Sequence, residues 1–279
     1  MWRKHVLFGL RILALVSIIL ALMRPQEQNA LQEISAEGID IMMVIDISGS
    51  MKAMDFKPNR LEAVKAVAQD FVSERHNDRI GLNVFARESF MQCPLTTDLN
   101  RLNEFIGNIE IVNEKFDGTA IGMALAGGIN RLRDSNAKSK VIVLLSDGRN
   151  NAGELDPITT SELAKEFGIR IYTIGAGTRG TAAMPVQTVI GVRKVQVKVD
   201  VDEETLQKIA DITGGQYFRA TDERSLAAIY QEISEMETTE FSVREYVQHA
   251  ELFYYPILAA LFLLLLEFIL ERMVFRRFP

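Results

Sequence analysis

Val141-Ile142-Val143-Leu144-Leu145 is a run of five apolar residues with no polar face. A strand of that kind belongs in the middle of a parallel sheet covered on both sides. Upstream, Ile39-Asp40-Ile41-Met42-Met43-Val44-Ile45 reads as a second buried strand. Arg60 to Arg75 then carries Leu61, Val64, Val67, Ala68, Phe71 and Val72 at the period of an amphipathic helix, and Pro58 and Asn59 sit where such helices begin. A strand is predicted over Ile80 to Phe85 and a short extended piece around Phe90, followed by helices over Leu99 to Ile109 and Ile121 to Leu132. Downstream of the central run come a helix, Thr159 to Phe167, and a strand, Ile169 to Ile174. A helix from Glu203 to Thr213, a strand from Gln216 to Arg219 and a helix from Asp222 to about Met236 complete the series. Strand and helix alternate, which predicts an α/β fold with a doubly wound, mainly parallel sheet. One stretch departs from this: Val186 to Ile190 and Val192 to Val199 look like a hairpin turning near Gly191, inserted near 178–200 at the domain's edge.

Outside this domain the composition changes. Val6 to Met23 is apolar except for Arg11 and Ser17, and Leu252 to Leu266 is apolar without a charge. A hydrocarbon core of about 30 Å needs about 20 helical residues. Trp2 on one side, and Phe253, Tyr254, Tyr255, Phe275 and Phe278 on the other, suit the membrane interface. The expected organisation is a transmembrane helix with a basic start over 1–24, a linker over 25–37 and the folded domain over 38–237. A juxtamembrane linker over 238–250, a second transmembrane helix over 251–274 and a basic tail over 275–279 follow. Arg3 and Lys4, with Arg272, Arg276 and Arg277, place both ends in the cytoplasm and the domain across the membrane, in contact with lipid only through its anchors. A cleaved signal peptide is the competing reading of the first run, but no convincing small-residue cleavage site follows it. Arg11 and Glu267 fall at similar depths from the cytoplasmic side. They are expected either to pair with each other, within one chain or between neighbours, or to snorkel separately.

The chain carries a net charge of −6 and no stripe of Lys and Arg, which argues against nucleic acid as a partner. Its one cysteine, Cys93, excludes an intrachain disulfide and a cysteine-built zinc site, and reads as a small buried hydrophobe.

Ligands of open α/β sheets bind beyond the carboxyl ends of the strands. Oxygen-bearing clusters stand at three such places. Asp46-Ile47-Ser48-Gly49-Ser50 follows one strand, Asp147 follows the central one, and Thr119 sits in Asp117-Gly118-Thr119-Ala120 before a helix. Alternate residues of Asp46-x-Ser48-x-Ser50 can turn three oxygens to one point, with Gly49 easing the bend. Taken singly, each fragment is ordinary turn or capping chemistry. Together they offer only oxygen, which suits a hard divalent cation: Mg²⁺, with Mn²⁺ or Ca²⁺ as alternatives. His5, His76 and His249 lie far from these loops in the sequence. Asn150 and Asn151, just past Asp147, are candidates for the rim of the site, or for simple turn residues before Gly153.

Asp46-x-Ser48-x-Ser50, Thr119 and Asp147, in that order, resemble the metal-ion-dependent adhesion site of von Willebrand factor A domains, over about 38 to 237. Asp55-Phe-Lys-Pro-Asn-Arg-Leu61, Asp78-Arg-Ile-Gly-Leu82, Asp147-Gly-Arg-Asn-Asn-Ala-Gly153 and Thr213-Gly-Gly-Gln-Tyr-Phe-Arg-Ala220 resemble the BatA-type proteins of the bacterial Bat (aerotolerance) group. The resemblance implies that Ser48, Ser50 and Thr119 touch the ion through hydroxyls while Asp46 and Asp147 act largely through water. It also implies an ion that recruits a carboxylate from a partner protein, with sister Bat proteins and a MoxR-type AAA+ ATPase as partners in the inner membrane. Contact with a cytoplasmic ATPase would then run through the spans or the tail from Arg272.

The reading that follows is a non-enzymatic, cation-dependent interaction module with a role in stress tolerance or protein assembly. A metal-dependent hydrolase is one alternative, and it would need a base or nucleophile beside the ion. Asp55, Asp117 and Glu154 are the nearest candidates and read as solvated loop residues. The other alternative is a subunit of a channel or transport assembly, which would require a homo-oligomer.

Overall fold

The computed structural model describes residues 2–24, 26–35, 38–188, 191–199, 201–237, 242–270 and 272. They form two compact units, one comprising Ala36–Phe241 and the other Met1–Ser35 with Ser242–Pro279.

The smaller unit starts with helix α1 (Trp2–Leu22) and strand β1 (Gln26–Ser35), and ends with the chain's last strand and helix, described below. In the larger unit β2 (Asp40–Asp46), α2 (Arg60–Ser73), β3 (Arg79–Phe85), β4 (Ser89–Thr96) and α3 (Leu99–Gly107) come first. Then follow α4 (Ile121–Leu132), β5 (Lys140–Ser146), α5 (Pro157–Glu166) and β6 (Ile169–Ala176). A hairpin of β7 (Thr181–Thr188) and β8 (Gly191–Lys198) precedes α6 (Glu203–Thr213), β9 (Tyr217–Ala220) and α7 (Glu223–Met236).

The main sheet has the order β4-β3-β2-β5-β6-β9, parallel except for β4. Successive side chains of a strand point to opposite faces, and both faces here are covered. Ile41, Met43, Ile45, Val141, Val143 and Leu145 enter one core with residues of α2, α3 and α7. Met42, Val44, Ile142 and Leu144 enter the other, against α4, α5 and α6. That is why the two central runs lack a polar face. The piece around Phe90 is β4, an antiparallel edge strand whose register slips beside Leu82. Pro94 explains its position, because proline cannot donate to a ladder and belongs on an edge. Cys93 is buried there, a free thiol.

Helix starts follow local chemistry. Asn59, Asp98, Asp156, Asp202 and Asp222 each accept a hydrogen bond from a backbone N–H of the turn that they cap.

From β2 the chain winds to β3 and β4 on one side, and from β5 to β6 and β9 on the other. The switch point lies between β2 and β5, and a crevice opens there at the carboxyl ends of the strands.

In the smaller unit, the stretches expected to be linkers pair with each other. β1 and β10 (Ser242–Glu251) form an antiparallel ribbon, in continuous register from Gln26↔Glu251 to Ser35↔Ser242. Helix α8 (Tyr254–Ile269) follows, and Arg11 Nε donates to Glu267 Oε1 at 2.5 Å. Around that pair the usual pattern is inverted. Ala14, Ala21, Ala260 and Glu267 are the buried residues, while Leu13, Leu15, Leu258 and Phe262 are exposed.

Among the described residues, no helix is long and apolar enough to cross a membrane. The 16 residues of α8 reach about 24 Å at about 1.5 Å each. The two expected spans are therefore not established by the fold. The expected basic tail, with Phe275, Arg276, Arg277 and Phe278, lies outside the described residues.

Candidate metal centre

Asp46 is the last residue of β2, Ser146 the last of β5, and Asp147 the next. Parallel pairing of the two strands brings these ends side by side. Ser48 and Ser50 follow Asp46 into a short 3-10 turn, Gly49–Lys52. Thr119 comes from the loop that starts α4, whose Ala120 N–H donates to Ala86 O at 2.7 Å. Asp46, Ser48, Thr119 and Asp147 are all buried, and Ser50 is half-buried.

Hydrogen bonds tie four of these residues together. Asp46 Oδ1 accepts from the Ser48 N–H at 2.9 Å, and its Oδ2 accepts from the Ser146 hydroxyl at 2.7 Å. The Ser48 and Ser50 hydroxyls lie 2.9 Å apart, and Ser50 donates to Asp147 Oδ1 at 2.6 Å. Thr119 lines the same cavity as Ser50 and Asp147, and a Cβ added at Gly148 would lie 3.2 Å from its hydroxyl oxygen. Gly49 has a more specific role than easing a bend. Its N–H donates to Asp117 Oδ1 at 2.8 Å, and a Cβ there would stand 2.8 Å from the other oxygen of that carboxylate.

No local pattern announces the charge arrangement behind the site. Arg60, buried at the start of α2, donates through Nη1 to Asp147 Oδ2 at 2.7 Å. The same guanidinium grips Asp55 with two bonds, Nε to Oδ1 at 2.8 Å and Nη2 to Oδ2 at 2.6 Å. Asp55 is thus no solvated loop residue; its side chain is 4% exposed. Asp117 and Glu154 are exposed, as expected. An arginine beside a helix start reads as a surface charge, and only the approach of the Asp147 loop shows otherwise.

These contacts set the protonation of the centre. Burial, followed by the nearby Asp147 charge, pushes the Asp46 carboxyl up to about 7. Burial also raises Asp147, against the opposing pull of Arg60 and the Ser50 hydroxyl. For Asp55 the balance reverses: burial is outweighed by bonds from Arg60 and the Thr178 N–H, and the carboxyl is held low. Two buried carboxylates, only one of them bonded to a guanidinium that also serves Asp55, are short of positive charge. Three hydroxyls beside them add neutral oxygen. A hard divalent cation fits that donor set and would supply the missing charge.

Asn150 and Asn151 both turn their side-chain oxygens to backbone. Asn151 Oδ1 accepts from the Thr119 N–H at 2.9 Å, and Asn150 Oδ1 accepts from the Ile121 N–H at 2.8 Å. Asn151 also lines the cavity over the site. Because Ala120 offers α4 no side-chain cap, Asn150 supplies the acceptor from across the loop. Asn150→Ala should therefore cost about 1 kcal/mol of stability, as a lost cap does. Chemical denaturation would check this, and an unchanged midpoint would show that the bond contributes nothing.

The chain is similar to several known proteins. A Borreliella burgdorferi protein is 30% identical over 262 residues, covering 93% of this chain and 76% of its own. The crystal structure of BatB from Bacteroides thetaiotaomicron is similar at 30% identity and a TM-score of 0.63, covering 72% of this chain and all of that one. An aerotolerance-related membrane protein of Bacteroides fragilis is similar at 29% identity and a TM-score of 0.61, covering 71% of this chain and 100% of its own. The family model of the von Willebrand factor type A domain matches residues 40–232. The chain belongs to the von Willebrand factor type A domain family.

Proposed function

We propose that this chain is a membrane-anchored docking module that binds a partner protein through a divalent cation. The observation that carries it is the run of Ser48 and Ser50 hydroxyls into Asp147, with Asp46 bonded to the Ser48 N–H and Thr119 lining the same cavity, at a switch point short of positive charge. Those five residues would hold Mg²⁺, with Mn²⁺ or Ca²⁺ as alternatives, and a carboxylate of the partner would complete its coordination. Neutral hydroxyl ligands leave such an ion electrophilic toward an incoming carboxylate. Around the cavity no His or Cys side chain is present among the described residues, which favours binding over acid–base chemistry.

Anchoring rests on the smaller unit. Large apolar side chains of α1 and α8 face outward, Leu13 at 56% and Phe262 at 65% exposure, while Ala14, Ala21, Ala260 and the Glu267 carboxylate are buried. Small residues between helices and apolar ones outside are what a lipid surround favours. On this reading the helices sit in a bacterial inner membrane, with both termini cytoplasmic and the domain on the periplasmic side. The similarity to BatB and to an aerotolerance-related membrane protein supports a Bat-type assembly there. Sister Bat proteins and a MoxR-type AAA+ ATPase are the proposed partners, in stress tolerance or protein assembly.

The test is the response of the whole chain to Mg²⁺. Saturating metal at about 100 times its Kd should stabilise the protein by about 2.7 kcal/mol, and Asp46→Ala should remove that gain. Crosslinking in cells would follow, with and without EDTA. Partners that are recovered equally well from EDTA-treated cells and from the Asp46→Ala strain would rule out metal-dependent docking.

A further inference from the structure

The inserted hairpin does not hang free of the metal centre. A cavity of about 350 Å³ has Ser50, Thr119 and Asp147 on its floor and Ala182, Met184 and Val197 on one wall, with Lys198 beside them. Antiparallel register explains which side chains form that wall. Ala182 pairs with Val197 and Met184 with Val195, so these four share one face. Thr181, Ala183 and Pro185, with Lys198, Gln196 and Lys194, alternate with them along the strands. Val195 and Val197 remain 45% and 41% exposed.

Several bonds hold this wall in place. The Met54 N–H, just past the Ser48–Ser50 turn, donates to Ala183 O at 2.8 Å. At the hairpin's root the Val199 N–H donates to Gly180 O at 2.9 Å, and the Thr178 N–H donates to Asp55 Oδ2 at 3.0 Å. Asp55 is the partner of Arg60, which in turn holds Asp147. The hairpin's root and the floor are thus joined by one chain of hydrogen bonds, from Thr178 through Asp55 and Arg60 to Asp147.

We propose that the β7–β8 hairpin is the selectivity wall of the metal centre, admitting a partner segment in which an acidic side chain has an aliphatic neighbour. This rests on the cation-dependent docking described above. The chemistry of the cavity names the occupant. The ion site calls for a carboxylate, and the half-exposed Met184 and Val197 call for an apolar group beside it. A volume near the low end of the range for ligand sites suits one or two side chains rather than a cofactor.

The experiment uses the whole chain labelled at its methionine methyls and saturated with Mg²⁺. It is titrated with two acetylated peptides, Gly-Leu-Asp-Leu-Gly and Gly-Gly-Asp-Gly-Gly. The leucine peptide should bind about tenfold more tightly, the effect of partly burying one aliphatic side chain, and should shift the Met184 methyl signal. In Met184→Gln, and separately in Val197→Thr, the ratio of the two affinities should fall toward one. Because a ratio is read, a variant that merely lowers the folded fraction leaves it unaltered, and threonine keeps the branched shape that a strand favours. Equal affinities in the unaltered chain, or a preference that survives both substitutions, would overturn the wall and leave cation-dependent docking intact. If neither peptide binds in Mg²⁺, carboxylate docking fails as well, and the wall with it.

Discussion

Arg60→Met should destabilise the metal-free protein by about 3–5 kcal/mol, the cost of leaving a buried charge without its partner. Here two carboxylates lose one guanidinium: Asp147, with Arg60 Nη1 at 2.7 Å, and Asp55, gripped by two bonds. Both side chains are nearly inaccessible to water, at 0% and 4% exposure, so solvent cannot screen the loss. Arg60→Lys should recover only part of the stability, because an ammonium cannot reproduce the planar fork that spans both partners. Mg²⁺ should narrow the deficit of Arg60→Met, since it would neutralise Asp147, whereas Asp55→Asn should narrow it without metal. Urea unfolding followed by circular dichroism reads all four proteins. A deficit below about 1 kcal/mol, the size of an exposed pair, would mean that Asp55 and Asp147 find water once Arg60 is gone.

The second large effect is a stability that falls as pH rises when no divalent ion is present. Asp46 is raised to about 7 by burial and by the charge of Asp147. In the unfolded chain an aspartate titrates near its ordinary value of about 3.9. Between those values the folded protein holds a proton that the unfolded chain has released. Stability is therefore greatest below the unfolded value and declines through the window up to about pH 7. One proton gives a slope of at most about 1.4 kcal/mol per pH unit. Asp147 is raised as well and acts in the same direction. Asp55 acts oppositely, but its pKa is lowered, so its contribution is lost only at more acidic pH, below this window. Saturating Mg²⁺ should abolish or reverse the slope, because the ion competes with the proton for the same oxygens. Asp46→Asn should flatten it in EDTA. Melting temperatures measured across the window, with EDTA and with Mg²⁺, test this, and parallel curves would refute it.

Much of this was legible in the amino-acid order. The runs at 41–45 and 141–145 lack a polar face because α2, α3 and α7 cover one side of the sheet and α4, α5 and α6 the other. Asp46, Ser48, Ser50, Thr119 and Asp147 could be collected because strand ends in such a sheet meet at one crevice, a rule of topology rather than of local sequence. What stayed hidden depends on distant approach. Arg60 looks like an exposed helix-start charge until the loop after β5 brings Asp147 to it. Asp117 looks like a turn residue until its carboxylate closes on Gly49. The hairpin was readable from its period of two, but its seat over the metal centre depends on Met54 and Thr178, which carry no pattern. Strands β1 and β10 showed no hairpin signal at all, because that signal needs a short turn and the whole domain separates them.

That last pairing has a mechanical consequence. The chain leaves the ribbon at Ser35 and returns to it at Ser242, and these two residues are themselves a pair in the ladder. Tension on a partner held at the domain would enter both strands at the same rung and leave both at Gln26 and Glu251. Neither strand is then drawn past the other, so the load runs along two backbones in parallel and the ladder between them is not sheared. Cutting either connection would leave one backbone to carry the whole load. The ribbon is built as a two-stranded cable, and its strength depends on both ends being held.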